Sequence, residues 1–254
     1  FDISLITDGE AEISNEPEVE VFFMVIAIFE IYTIGAGGGS LAWLEAGALR
    51  VGPHSAGAEP GPASYGRGGT EPTVTDANLH LGRIGKDSRL GGWMQLDADA
   101  AEKAIKRVAS KLDMSTIDLA EGMLAIINAK MADAIRTITI KEGIDPRDFS
   151  LVAFGGAGSM HAAWLAKELG IREIIVPLSP GTFSAWGMLQ ADIRRDLTLN
   201  FYRPLSSVTS EEIASNISEL QGEGRELLFE ENVPKSDMFF VASADMRYVG
   251  QEYF

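Results

Sequence analysis

The chain is 254 residues long, 46% hydrophobic and 23% charged, with a formal net charge of −16 and no cysteine. That composition suits a globular protein able to bury a sizeable core in one or two domains. The missing cysteine excludes a disulfide framework, a thiolate nucleophile and a thiolate zinc site. The acidic balance opposes a broad nucleic-acid or anionic-membrane surface, since both need local positive potential, but leaves ATP open because backbone dipoles can hold its phosphates.

Phe1–Thr7 and Glu10–Asn15 flank Asp8-Gly9, a two-residue hairpin signal. Pro17 and an acidic cluster lead into an apolar run from Val19 to Ile34, read as an interrupted strand buried on both faces. Its longest apolar part, Val21 to Phe29, is nine residues, too short to span a bilayer and without the flanks of a secretion signal. A cytoplasmic protein is the expectation. Next comes a first glycine turn, Thr33-Ile-Gly-Ala-Gly-Gly-Gly-Ser40, followed by a predicted short helix over Leu41–Ala46 and a strand at Leu49–Val51.

Gly52 to Pro72 is rich in Gly and Pro yet poor in the residues of disordered linkers, so it reads as a long ordered, functional loop. Thr73-Val-Thr-Asp76 offers caps for a helix through Leu81 that Gly82 stops. Asp97 caps a helix to about Lys111, with Ala101, Ala104, Ile105 and Val108 on one face. A longer helix starts near Ser115. Its apolar stripe is Ile117, Ala120, Leu124, Ile127, Met131, Ile135 and Ile138, and Gly143 and Asp145-Pro146 end it. A β-α-β-α alternation follows: strand Leu151–Phe154, helix Ser159–Leu169, strand Glu173–Val176 and helix Thr182–Asp192. Strand Leu197–Tyr202, helix Ser210–Glu231 and strand Phe239–Tyr248 complete an α/β chain. It opens and closes in strand-like runs, Phe1–Leu5 and Met246–Phe254, and reads as a piece of a longer polypeptide.

A second glycine turn, Phe154-Gly-Gly-Ala-Gly-Ser159, sits between a predicted strand and a predicted helix. Glycine admits positive φ and lets a ligand approach bare backbone, and a turn heading a helix offers unpaired N–H groups to an anion. Tight packing also selects glycine. Two such turns in one chain favour a nucleotide held between two backbone loops. Neither contains the lysine of a Walker loop, so a metal or another segment must supply positive charge.

Other candidates carry plain alternatives. Asp76 is the best internal carboxylate, with helix capping as its alternative. His54 and Arg67 lie in the Gly/Pro loop, where a solvated imidazole and a surface ion pair are the plain readings. His161 falls on the first turn after the second glycine loop, where helix packing competes with a role at a ligand. His54, His80 and His161 show no zinc spacing, and no metal site is expected from side chains.

The run TIGAGGGSLAWLEAGALRVGPHSAGAEPGPASYGRGGTEPTVTDANLHLGR resembles the signature stretch of the hydantoinase A/5-oxoprolinase family. VAFGGAGSMHAAWLAKELGI, IIVPLSPGTFSAWGMLQADIRRD and DMRYVGQEYF match that family in the same order. The resemblance implies a ribonuclease-H-like lobe of the actin-like ATPase superfamily, which also holds acetate and sugar kinases and heat-shock-70 proteins. It implies a lobe over residues 1–200 and the start of a following α/β segment over 201–254. By the same resemblance, Gly35, Gly37, Gly38, Gly39 and Ser40 form the second phosphate loop, and Gly155, Gly156, Ala157 and Gly158 the adenosine-side loop. ATP and Mg²⁺ follow as cofactors, with a B-type hydantoinase subunit or fused equivalent as partner and a small cyclic amide as substrate. The implied function is that of an A-type subunit, as a fragment, which phosphorylates a carbonyl before ring opening. The alternatives are an acetone-type carboxylase subunit and a non-catalytic nucleotide-binding module. Two departures stand out. The family's first phosphate loop, an acidic residue followed by Gly-Gly-Thr, is absent from this chain, so the fragment alone is expected to be inactive. Ser64 occupies a position that is commonly Cys in the family.

Overall fold

In the computed structural model, which describes residues 1–14, 18–19, 22–23 and 28–251, the Asp8-Gly9 turn joins Ile6–Thr7 to Glu10–Ala11 as expected. Both turn residues have positive φ, 54° and 85°, the geometry that matches the twist of a tight hairpin. This hairpin interrupts a longer antiparallel one: Asp2–Ile3 pairs with Tyr32–Thr33, Ile13–Ser14 with Ile28–Phe29, and Glu18–Val19 with Phe22–Phe23. The run Val19–Ile34, expected to be buried on both faces, is not so where its side chains are described: Phe29 and Ile31 are more than half exposed, since a two-stranded ribbon leaves a face to water, while the side chains of residues 19–28 lie outside the described residues.

The predicted helix over Leu41–Ala46 is a strand. Ser40–Glu45 runs antiparallel to Ala48–Ser55 through a turn at Ala46-Gly47. The period of two is visible in the burial, with Ser40 and Ala42 buried and Leu41 and Trp43 only half-buried. Six residues give a helix few internal hydrogen bonds, whereas a strand here gains a whole ladder. The first glycine loop therefore connects strand to strand and does not head a helix.

Four helices build the core beside this hairpin: α1 Val74–His80, α2 Ala98–Ala109, α3 Thr116–Lys141 and α4 Gly158–Leu169. The first three start where the sequence places caps. Thr73, Asp97 and Ser115 each accept a backbone N–H of the first turn, satisfying a donor the helix cannot. α3 packs on α1, α2, α4 and the Ala48–Ser55 strand. That many neighbours widen its apolar stripe: Leu119 and Met123 are buried alongside Ala120, Leu124, Ile127, Met131 and Ile135, while Ile117 in the first turn stays exposed. Each such Leu, Ile or Met contributes about 1.5–3 kcal/mol of burial.

Leu151–Val152 and Ile174–Ile175 form a parallel pair crossed over by α4, the expected β-α-β unit. α5 follows over Phe183–Met188, shorter than predicted. The chain divides into two compact units, Phe1–Gly187 and Met188–Phe254. In the second, α6 spans Ser210–Glu230 behind a Thr209–Glu212 capping box, and Phe240 packs over Gly224. The predicted strands Leu197–Tyr202 and Phe239–Tyr248 carry no regular secondary structure and pair with no strand among the described residues. Strand propensity without a partner leaves backbone groups to water, and Tyr202, Val241 and Tyr248 are correspondingly exposed. No helix among the described residues is long and apolar enough to cross a membrane.

Candidate functional site

The first glycine loop is closed on itself and pinned at both sides. Gly37 N–H donates to Ser40 Oγ at 3.0 Å, and Ser40 N–H returns to Gly37 O at 3.1 Å. Gly38 O accepts from both Thr75 N–H (2.8 Å) and Thr75 Oγ1 (2.9 Å), tying the loop to the first turn of α1. A Cβ on Gly35 would lie 2.9 Å from Pro53 Cβ, on Gly38 2.7 Å from Thr75 Oγ1, and on Gly39 2.8 Å from Ser55 Oγ. Packing against the Pro53 ring and backbone requires glycine at 35 and the doubly bonded Thr75 hydroxyl opposes a side chain at 38, while at 39 only the mobile Ser55 hydroxyl stands in the way. Gly37 differs: a Cβ there meets nothing within 4 Å.

Thr75 leads to the most connected side chain of the region. Asp76 is fully buried, and its carboxylate accepts Ala63 N–H (3.2 Å), Ser64 N–H (2.8 Å), Thr73 N–H (2.9 Å) and Thr73 Oγ1 (2.8 Å). Asp76 thus completes the α1 capping box and clips the Gly/Pro loop, 12 to 13 residues upstream, to the same helix. Both oxygens are engaged, so the geometry gives Asp76 a structural role. Ser64, held by the clip, is fully buried and its Oγ has no hydrogen-bond partner.

The second glycine loop is open. Gly155, at φ 88°, turns the chain after the first parallel strand and donates its N–H to Pro180 O at 2.8 Å. A Cβ on Gly155, Gly156 or Gly158 meets nothing within 4 Å. Ala157 precedes α4 without a side-chain cap, leaving first-turn N–H groups available to an acceptor from outside. The two loops adjoin: the Cβ position of Gly38 lies 3.9 Å from Ala157 Cβ. His161, 1% exposed, sits one turn along α4, with Nδ1 2.6 Å from Asn128 Oδ1 and Nε2 buried without a partner. Burial pushes its imidazole down to about 4, and the Arg83 guanidinium adds to that. His161 is therefore neutral at pH 7, donating Nδ1–H to Asn128. It packs α4 on α3.

His54 is exposed on the hairpin, its ring 5.4 Å from that of Trp43. Arg67 lies over the Trp93 ring at 6.0 Å. Neither is hydrogen-bonded or ion-paired to Asp76, so the structure does not assemble these three into one constellation. His80 pairs with Thr116 at 3.0 Å. One cation was not legible in the sequence: Lys130 Nζ reaches from α3 to Val51 O at 2.7 Å. The next residue, Gly52, crosses the first loop so closely that a Cβ would lie 2.7 Å from Gly35 O. Nothing in the local sequence links Lys130 to a loop 79 residues away. Elsewhere Glu12, Glu30 and Glu142 each place an oxygen within 4.8 Å of the others. Lys141 Nζ sits at 2.6 Å from Glu30 and 3.9 Å from Glu142, an ion-pair cluster that holds Lys141 above its usual range.

These features define a class: a ribonuclease-H-like α/β lobe of the actin-like ATPase superfamily, carrying two adjoining glycine loops. The hydantoinase/oxoprolinase family profile matches residues 1–197, and the chain belongs to that family. It is 37% identical over 256 residues to caprolactamase subunit alpha of Pseudomonas jessenii, covering 99% of this chain and 37% of the relative. A crystal structure of ATP-dependent caprolactamase from that organism superposes with a TM-score of 0.69 at 36% identity, over 89% of this chain and 33% of the other. Nucleotide-free acetone carboxylase superposes with a TM-score of 0.76 at 30% identity, over 90% and 33%. 5-Oxoprolinase 1 of Arabidopsis thaliana is 34% identical over 266 residues, covering 96% of this chain and 21% of the relative. The chain thus spans about a third or less of the length of these relatives.

Three outcomes follow. Asp76→Asn replaces acceptors by an amide that presents N–H groups to N–H donors, and should cost about 3–5 kcal/mol in urea unfolding. Ser64→Cys and Ser64→Ala each remove an unpartnered buried hydroxyl and should raise stability by about 1 kcal/mol in the same assay. His161 has a folded value near 4 against an ordinary 6.5. Its contribution is therefore complete above pH 6.5 and lost as pH falls from 6.5 towards 4, about 3 kcal/mol in all. Unfolding of His161→Gln, followed against pH, should lose that dependence.

Proposed function

We propose that this chain is the nucleotide-binding part of an A-type subunit in an ATP-dependent cyclic-amide hydrolase of hydantoinase/5-oxoprolinase type. The observation that carries the proposal is the clearance at Gly37, Gly156 and Gly158. These glycines show neither positive φ nor a protein atom that a Cβ would touch, so packing and backbone strain do not account for them. Close approach of a ligand does. The uncapped first-turn N–H groups of α4 suit a phosphate chain. Family membership and the names of the relatives support the same reading, caprolactamase and 5-oxoprolinase being amide-ring enzymes by name.

An amide carbonyl resists water because nitrogen donates into it. Transfer of the γ-phosphoryl group to the carbonyl oxygen breaks the bond to the β-phosphate oxygen, releases ADP and leaves a carbon that water can attack. In this scheme the glycine loops hold and orient the nucleotide, and the backbone dipoles at α4 offset charge on the phosphates. Asp76, joined to the first loop through Thr75 and Gly38, has no free oxygen for a Mg²⁺ ion arriving with ATP. We therefore assign it no metal role. The phosphorylated amide is labile, which calls for a B-type subunit or fused equivalent close by to complete hydrolysis. The names of the relatives include subunits of assemblies, in keeping with such a partner. A cytoplasmic location completes the proposal.

Titration calorimetry with ATP tests it. Gly156→Val should melt like the parent and bind ATP at least tenfold more weakly. Gly38→Val should instead lower the melting temperature, because its side chain meets Thr75 within the protein. Equal ATP affinity for the parent and Gly156→Val would refute the site. Substrate-stimulated ATP turnover in the assembled enzyme, with and without bicarbonate, separates ring hydrolysis from carboxylation.

A further inference from the structure

The cations of this acidic chain are unevenly placed. Between Arg83 and Gln95 the sequence carries three basic residues and one acid, Asp87, against a net charge of −16 for the whole. The strands Arg89–Leu90 and Met94–Gln95 pair as a tight hairpin, and Lys86 O accepts from Gln95 Nε2 at 3.1 Å, so Lys86 and Arg89 belong to one small surface. Trp93 stands in the turn of that hairpin, 68% exposed, with the Arg67 guanidinium 6.0 Å from its ring centre. Arg67, Lys86 and Arg89 are all exposed and enter no ion pair among the described residues. Exposed tryptophan beside arginine is the composition that dominates binding energy at protein interfaces.

α6 carries the opposite imbalance. Glu219, Glu223, Glu226 and Glu230 recur at spacings of four, three and four, which sets them on one helix face over about 16 Å. All four are exposed and without an ion pair among the described residues, while the buried Gly224 and Leu228 lie on the other side of the helix. Like charges at these spacings repel, and the last turn holds no basic residue to offset the dipole at the helix C-terminus. Such a face gains from a cationic surface that its own helix does not supply. The net charge of −16 opposes a nucleic acid or an anionic membrane on the basic hairpin, whereas a local acidic face on a folded protein suits it. We propose that the surface formed by Arg67, Lys86, Arg89 and Trp93 binds the Glu219–Glu230 face of α6 on a second copy of this chain. Two different patches meet in this contact, so each pair of copies leaves one of each patch free and association proceeds head to tail. The inference is independent of the nucleotide reading.

Analytical ultracentrifugation at rising protein concentration tests it. The parent should associate beyond the dimer, and raising NaCl from about 0.05 M to about 0.5 M should weaken that association about tenfold. Trp93→Ala should weaken it by a similar factor at low salt, about tenfold. The double variants Arg67→Gln/Arg89→Gln and Glu223→Gln/Glu226→Gln should each sediment as monomers where the parent associates. Mixed in equal amounts, the first still offers its acidic helix and the second its basic hairpin, so the pair should form a dimer that grows no further. That rescue also requires both variants to be folded. A parent that stays monomeric at every concentration would overturn the proposal. So would association that survives either double variant, or a mixture in which no dimer forms.

Discussion

A single buried carboxylate organises the part of this lobe on which the site depends. Asp76 has no lysine or arginine in its hydrogen-bond shell, and instead collects three backbone N–H groups and a hydroxyl. Burying an ion without a counter-ion is costly, and that cost is met only while every donor stays in place. The clip is thereby directional. If the Gly/Pro loop swung away from α1, taking Ala63 and Ser64 with it, half the donors to Asp76 would be lost. This is why a stretch dense in glycine and proline is ordered, with Ala63 and Ser64 fully or nearly fully buried. The order then propagates, since the helix whose cap Asp76 completes also presents Thr75 to Gly38.

That same connection decides which groups are available to an anion. Thr75 N–H and Oγ1 are spent on Gly38 O, so the start of α1 braces the first loop and offers those donors to no ligand. The start of α4 is uncapped and beside the open glycines. The two loops look alike in sequence but do different work. The first is mostly fitted against Pro53, Thr75 and Ser55, with Gly37 as its accessible point. The second is accessible along most of its length. A net charge of −16 does not weigh against this arrangement, because distant surface charges are screened within about 8–10 Å while backbone dipoles act at contact range.

Local chemistry was legible in the sequence and long-range chemistry was not. The caps at Thr73 and Asp97 bond N–H groups three residues on, and each helix begins where its cap predicts. The β-α-β unit around α4 was equally plain from its apolar runs. Leu41–Ala46 misled because so short a segment, five of its six residues apolar, carries no decisive period, and the ladder to Ala48–Ser55 settles the matter. Leu197–Tyr202 and Phe239–Tyr248 misled for the converse reason, strand propensity without a partner strand. The glycine loops were found by composition, but which of their glycines face solvent depends on Pro53, Ser55 and Thr75 folding back on them. Likewise, Asp76 was recognised as a cap, while its hold on Ala63 and Ser64 required the loop's path.

Ser64 shows how such a path turns a conservative change into an energetic one. The family resemblance places cysteine there, and a thiol is content in a fully buried position without a partner because it is a weak donor and acceptor. A hydroxyl in the same position keeps its need for a partner and finds none. His161 meets the same constraint differently. One nitrogen satisfies Asn128, and the other is buried unpaired and so must stay deprotonated. A neutral ring lets α4 seat closely on α3, and the position of α4 in turn fixes where the second glycine loop begins. The accessible loop is thus only as well placed as the buried histidine behind it, so acidification that charges His161 should disturb the second glycine loop.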